Sequence, residues 1–110
     1  MTYHIGNIAE YQLNIWSHKR GGPDQITLYG TFGVAWLFFV PPGTAAIGSN
    51  SMSLSSNPPT FTCFFDDYTW PRVVDMLRNE KPLYFWFEDV SLTMTLTTVR
   101  EPAGENEPGP

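Results

Sequence analysis

Five consecutive residues, Leu83-Tyr84-Phe85-Trp86-Phe87, constrain this chain more than any others. Extended, they send Leu83, Phe85 and Phe87 to one side and Tyr84 and Trp86 to the other. Both sides are apolar or aromatic, so the strand needs a covering layer on each, as a central strand does.

One layer stands just upstream. Trp70, Val73, Val74 and Leu77 recur at helical spacing, which predicts one helix over about 69–79 with these four on its buried face. Asp66, Asp67 and Thr69 are candidate N-caps, and Pro71 fits the first turn. Arg72, Asp75 and Arg78 are spaced to pair along the solvent side. Asn79 is suited to a left-handed helix end, and Pro82 prevents continuation.

The rest of the chain reads as strands. Tyr3–Ile5 is a short one, followed by a turn at Gly6-Asn7. Tyr11–Trp16 alternates as a half-buried strand. A polar Gly-Pro turn over 17–24 leads to a return strand, Gln25–Tyr29, with Ile26 and Leu28 inward and Thr27 and Tyr29 outward. Val34–Val40 is apolar on both faces and stops at Pro41-Pro42-Gly43, as a buried strand would. Residues 41–59 form the longest loop, with a brief strand near Ser51–Leu54. Thr60–Phe65 turns Phe61, Cys63 and Phe65 to one face. Ser91–Val99 opposes Leu92, Met94 and Leu96 to a row of Thr93, Thr95 and Thr97.

These elements predict an α+β fold: a strongly twisted antiparallel sheet of six or seven strands, with the helix between the fifth and sixth. Curvature toward a partly closed barrel follows, because an open sheet apolar on both faces would expose aromatics. Residues 1–100 make a single domain. Residues 101–110 hold three prolines, two glycines and three glutamates without a large apolar side chain, which predicts a disordered acidic tail.

A formal charge of −5 argues against nucleic acid and anionic membrane surfaces as partners. Lys19-Arg20 is the one adjacent basic pair. No apolar run is long enough to span a bilayer, and the N-terminal residues carry no signal-peptide pattern. Cys63 is the sole cysteine, so no internal disulfide and no Cys-rich zinc site is expected. A soluble cytoplasmic protein is the reading that follows.

Chemistry-bearing motifs are sparse. Asp66-Asp67 and Glu88-Asp89 could run acid–base chemistry, but adjacent acids also serve as caps and turn residues. His4 and His18 stand in no metal-ligand spacing. Cys63, on a Phe-rich strand, reads as a small buried hydrophobe. Gly30 and Gly33 lack the third glycine of a dinucleotide fingerprint, and no serine sits in a nucleophile elbow. No catalytic residue, metal or cofactor is assigned.

What remains is aromatic. Trp16, Tyr29, Tyr84 and Trp86 are expected to share one sheet face with Thr93 and Thr95. Aromatic rings amid hydroxyl and amide groups suit a subunit or protein interface. They also suit a small molecule or sugar that stacks on them. A second core layer, closed by curvature or by the long loop, would bury the same face with no partner. The leading expectation is a non-enzymatic binding or self-assembly module, in its simplest form a symmetric homo-oligomer. A ligand pocket comes second. A small enzyme using Asp66, Asp67, Glu88 or His4 comes third.

Overall fold

A computed structural model describes residues 2–16, 23–42 and 50–98. The expected turn at 17–22 (with His18, Lys19 and Arg20), residues 43–49 of the long connection and the tail lie outside these. Among the described residues there are seven strands: β1 (Tyr3–Asn14), β2 (Asp24–Gly30), β3 (Gly33–Val40), β4 (Ser51–Ser53), β5 (Thr60–Asp66), β6 (Leu83–Glu88) and β7 (Thr93–Thr98). A helix, α1 (Trp70–Asn79), follows a single 3₁₀ turn, Asp67–Thr69. The strands form one curled sheet in the order β4-β5-β3-β2-β1-β6-β7.

The α+β architecture is as expected, but the sheet is mixed rather than antiparallel throughout. β3 and β5 run parallel, from Val34 opposite Thr60 to Val40 opposite Asp66. Parallel neighbours need a crossover of a dozen or more residues, and the stretch 41–59 is long enough to supply it. That stretch also contributes β4, which pairs antiparallel on the far edge of β5. The parallel register places like beside like: Phe38 stacks on Phe64 at 5.5 Å and Phe39 on Phe65 at 5.3 Å.

Gly6-Asn7 is not a turn. Both residues lie inside β1, a single 12-residue strand. Its first half pairs with β6, from Tyr3 opposite Glu88 to Asn7 opposite Tyr84. Its second half pairs with β2, after a register shift between Ile8 and Glu10. The glycine is there for close approach. A Cβ on Gly6 would lie 2.5 Å from Thr31 Oγ1, and one on Gly30 would lie 2.0 Å from the Asn7 carbonyl oxygen. The β2–β3 turn is thereby drawn against the middle of β1, where Thr31 N–H donates to the Asn7 carbonyl and Asn7 N–H to Thr31 Oγ1. The bend curls the sheet.

The curl brings strands distant in sheet order face to face. Phe61 of β5 lies 5.0 Å from Phe85 and 5.1 Å from Phe87 of β6, and Phe32 stacks on Phe85 at 4.3 Å. Ile26, Leu28, Ala35, Leu37 and Cys63 complete this core with no exposed surface. α1 adds Val73 and Leu77, while Trp70 sets its edge on Phe39 at 4.9 Å. The predicted helical face is therefore the buried one.

The helix ends differ from expectation. Thr69 precedes α1 in helical conformation, and its hydroxyl donates to the Asp66 carbonyl instead of capping. Asp75 accepts from Asn79 Nδ2 rather than forming an ion pair with either arginine. Glu80 ends the helix in extended conformation, so Asn79 is not left-handed.

One side chain joins the two ends of the curl. Asn50 Oδ1 accepts from Phe64 N–H at 2.8 Å, and Asn50 Nδ2 donates to the Leu92 carbonyl at 2.9 Å. Leu92 has φ +58°, a left-handed conformation that costs a leucine energy, and its side chain packs on the core.

Candidate functional site

Pleat alternation and the register define the outer face of β6 and its neighbours. Tyr84 and Trp86 point away from the core, beside Thr97 and Thr95 of β7 on one flank and Asn7 and Ile5 of β1 on the other. Trp86 is 38% exposed, Tyr3 50% and Ile5 51%. Tyr3 sets its ring edge-on to Trp86 at 5.7 Å. Thr93 and Thr95 are exposed and Tyr84 is half-buried. Together they form a strip in which one indole and two phenols stand among hydroxyl groups.

Trp86, Tyr84, Thr93 and Thr95 are thus brought together. Tyr29 lies on the same side of the sheet, two strands from Tyr84, where it is exposed and donates to Gln12 Oε1 at 3.4 Å. Trp16 is elsewhere. It follows the end of β1, about 11 residues beyond the Ile5–Trp86 pair, up to about 35 Å away at strand rise. Its N–H donates to Asp24 Oδ1. Thr27, expected outward beside Tyr29, faces outward but is buried between Gln12 and Trp36, taking a hydrogen bond from Gln25 Nε2. Sequence reasoning missed Tyr3 and Ile5, because reading Gly6-Asn7 as a turn detached Tyr3–Ile5 from the sheet.

The carboxylates are tied to structure. Glu88 spans the β6–β7 turn, accepting from Val90 N–H and Ser91 N–H. Desolvation opposes its ionisation, but those N–H donors prevail and hold the carboxyl below its usual range. Asp89 exchanges bonds with Thr2: Thr2 N–H donates to Oδ1 at 2.9 Å, and Asp89 N–H to the Thr2 carbonyl at 3.1 Å. The Thr2 contact, opposed by desolvation and aided by His4, lowers the Asp89 carboxyl. Asp66 takes the Tyr68 hydroxyl, a bond that raises the phenol.

His4 lies on the core side of β1 against Phe61, with Nε2 3.6 Å from Asp89 Oδ2. That is an ion-pair separation, too long for a hydrogen bond, so among the described residues the buried Nε2 has no hydrogen-bond partner. Burial pushes the Cys63 thiol up to about 12. Such a thiol stays protonated and unreactive at neutral pH. Among the described residues, no three His, Cys, Asp or Glu side chains are grouped to hold a metal ion.

A cleft of about 260 Å³ opens where β1 parts from β6. Asn7, Ile8, Ala9, Glu10 and Tyr11 line one wall, and Leu77, Glu80, Lys81, Pro82 and Leu83 the other. Tyr84 and Trp86 do not line it. No helix among the described residues is long and apolar enough to cross a membrane. Comparison with protein-family models, curated proteins and solved structures gives no match.

Proposed function

We propose that this chain is a non-enzymatic binding or self-assembly module that works through the exposed faces of its sheet. The observation that carries this reading is the strip of Trp86, Tyr3 and Ile5 beside the Thr93 and Thr95 hydroxyls. Sheet faces with one wet side usually carry polar side chains there. Tyr and Trp are favoured interface anchors, because a ring buries much area with few rotors while its polar edge stays hydrogen-bonded. The titratable groups near the strip, Glu88 and Asp89, are already held by backbone donors. The buried thiol of Cys63 fits a reducing compartment, and we assign the chain to the cytoplasm.

Sedimentation across the micromolar range tests self-assembly, and Trp86→Ala tests the strip. A concentration-dependent dimer, or a protein partner lost on Trp86→Ala, is the expected result. A strictly monomeric chain whose partners ignore Trp86→Ala overturns it. Tryptophan quenching by a sugar that Trp86→Ala abolishes would assign the same strip to a small ligand.

A further inference from the structure

The second half of β1 has one neighbouring strand. β6 departs after the Asn7–Tyr84 pair, and among the described residues Ile8–Asn14 pair with β2 alone. The irregularity between Ile8 and Glu10 leaves Glu10–Asn14 as the regular part of this open edge. An open edge presents backbone N–H and C=O groups at ladder spacing, a template for a further strand. Charge or proline commonly blunts such edges, yet Glu10 is the one charged residue between Ile8 and Trp16. Tyr11 and Leu13 are exposed here although they stand opposite Leu28 and Ile26, which are fully buried.

We infer that a second copy of this chain docks antiparallel on this edge, about a two-fold axis through Gln12. The inference rests on the self-assembly reading above and moves the contact from the outer strip to the β1 edge. Gln12 is the midpoint of the regular segment. An axis there sets Tyr11 opposite the partner's Leu13, and Glu10 opposite the partner's Asn14. Apolar meets apolar on the core side, and acid meets amide on the outer side. The two Glu10 carboxylates stay about 13 Å apart along the strands, which suits an acidic chain. An axis through Tyr11 would set the bulged Ala9 opposite the partner's Leu13, within the regular segment, whereas the Gln12 axis leaves it outside that segment. One through Leu13 would drop Glu10 from the regular pairs.

The same axis fills the cleft. It carries Ile15 and Trp16, 67% and 47% exposed, opposite the partner's Ala9 and the partner's Ile8. Ala9 and Ile8 line the cleft with Leu77, Pro82 and Leu83, and Glu80 and Lys81 line it as well. Each copy thus offers an apolar strand end and a cleft, part apolar and part charged, beside the same edge. An unrelated extended peptide would satisfy the backbone edge but not this reciprocity.

A residue on the axis faces itself, which provides the test. Opposed Cα atoms in an antiparallel pair lie about 4.5–5.5 Å apart, within disulfide range. Under glutathione disulfide, Gln12→Cys should give a covalent dimer, whereas Asn14→Cys, about 13 Å from its own copy, should not. Cys63 is buried and will not compete. Gln12→Glu and Gln12→Lys should each weaken the dimer by about two- to fivefold, and mixing them should restore it. Leu13→Lys should dissociate it further. A dimer that survives these changes but is lost in Trp86→Ala overturns the edge and leaves the outer strip as the self-assembly surface. A wild-type chain that stays monomeric across the micromolar range overturns both.

Discussion

The two amide bonds of Asn50 join the ends of the curled sheet, so their removal should loosen the curl. In Asn50→Ala, Phe64 N–H and the Leu92 carbonyl both lose partners at ordinary hydrogen-bond length. Both bonds are partly buried, so water compensates only in part. At about 1 kcal/mol per net hydrogen bond, the loss is about 2 kcal/mol. For a domain of this size that lowers Tm by about 10 °C. Asn50→Asp separates the two contributions. Its carboxylate still accepts from Phe64 N–H, but it cannot donate to Leu92, so it should cost about half as much. Cys63 gives a second readout, because its buried thiol reacts only when the core opens. Where opening pre-equilibrates, the labelling rate tracks the opening free energy, and 2 kcal/mol is about 30-fold. Calorimetry and thiol labelling should agree. If Asn50→Asp matches wild type in both, the Leu92 bond contributes nothing and the closure argument is wrong.

Other outcomes follow from the core and the turns. Phe61→Ala removes the ring that meets both Phe85 and Phe87 and should cost about 3–5 kcal/mol in urea unfolding, whereas Trp86→Ala, on the outer face, should cost far less. Gly30→Ala would force a methyl group to 2.0 Å from a backbone oxygen. It should give little folded protein by circular dichroism, with no flexible side chain to yield. The folded carboxyl of Asp89 lies below its ordinary value of 3.8. Its contribution is therefore fully present above that value and lost as pH falls through the folded pKa. Asp89→Asn should therefore cost stability at neutral pH, where the contribution is full, and converge with wild type as pH falls below about 4, so its acid limb is flatter, as acid titration of the melting temperature will read.

Much of the fold was legible because side-chain period is a local property. Alternation grouped Leu83, Phe85 and Phe87, then Ile26 and Leu28, then Phe61, Cys63 and Phe65, each on one face; all are buried except Phe65, which is half-buried against the core. Helical spacing assigned Trp70, Val73, Val74 and Leu77 to the packed side of α1. Strand partners are not local. Nothing within Val34–Val40 or Thr60–Phe65 alone states that they run parallel, although the paired Phe-Phe dipeptides at 38–39 and 64–65 match that register. Gly6 carries the same ambiguity, since a glycine marks either a turn or a close approach. That ambiguity hid β1 as one strand and the place of Tyr3 and Ile5 beside Trp86. The outer face was assigned by pleat alone, which fixes the side of a sheet but not distance around a bend. Trp16 therefore lies beyond the end of β1, outside the neighbourhood of Trp86.

β1 is bonded to strands from opposite ends of the chain, and this governs how the protein can be made. The contact between Thr2 and Asp89 spans 87 residues. At translation rates of 5–20 residues per second, the opening strand waits roughly 4 to 17 s for β6 to be synthesised. Over that interval β2 can zip onto Glu10–Asn14, while Tyr3–Asn7 has no mate. The last step of assembly is therefore a long-range closure, slow by contact order, and a nascent chain stalled before β6 would present Tyr3 and Ile5 to chaperones.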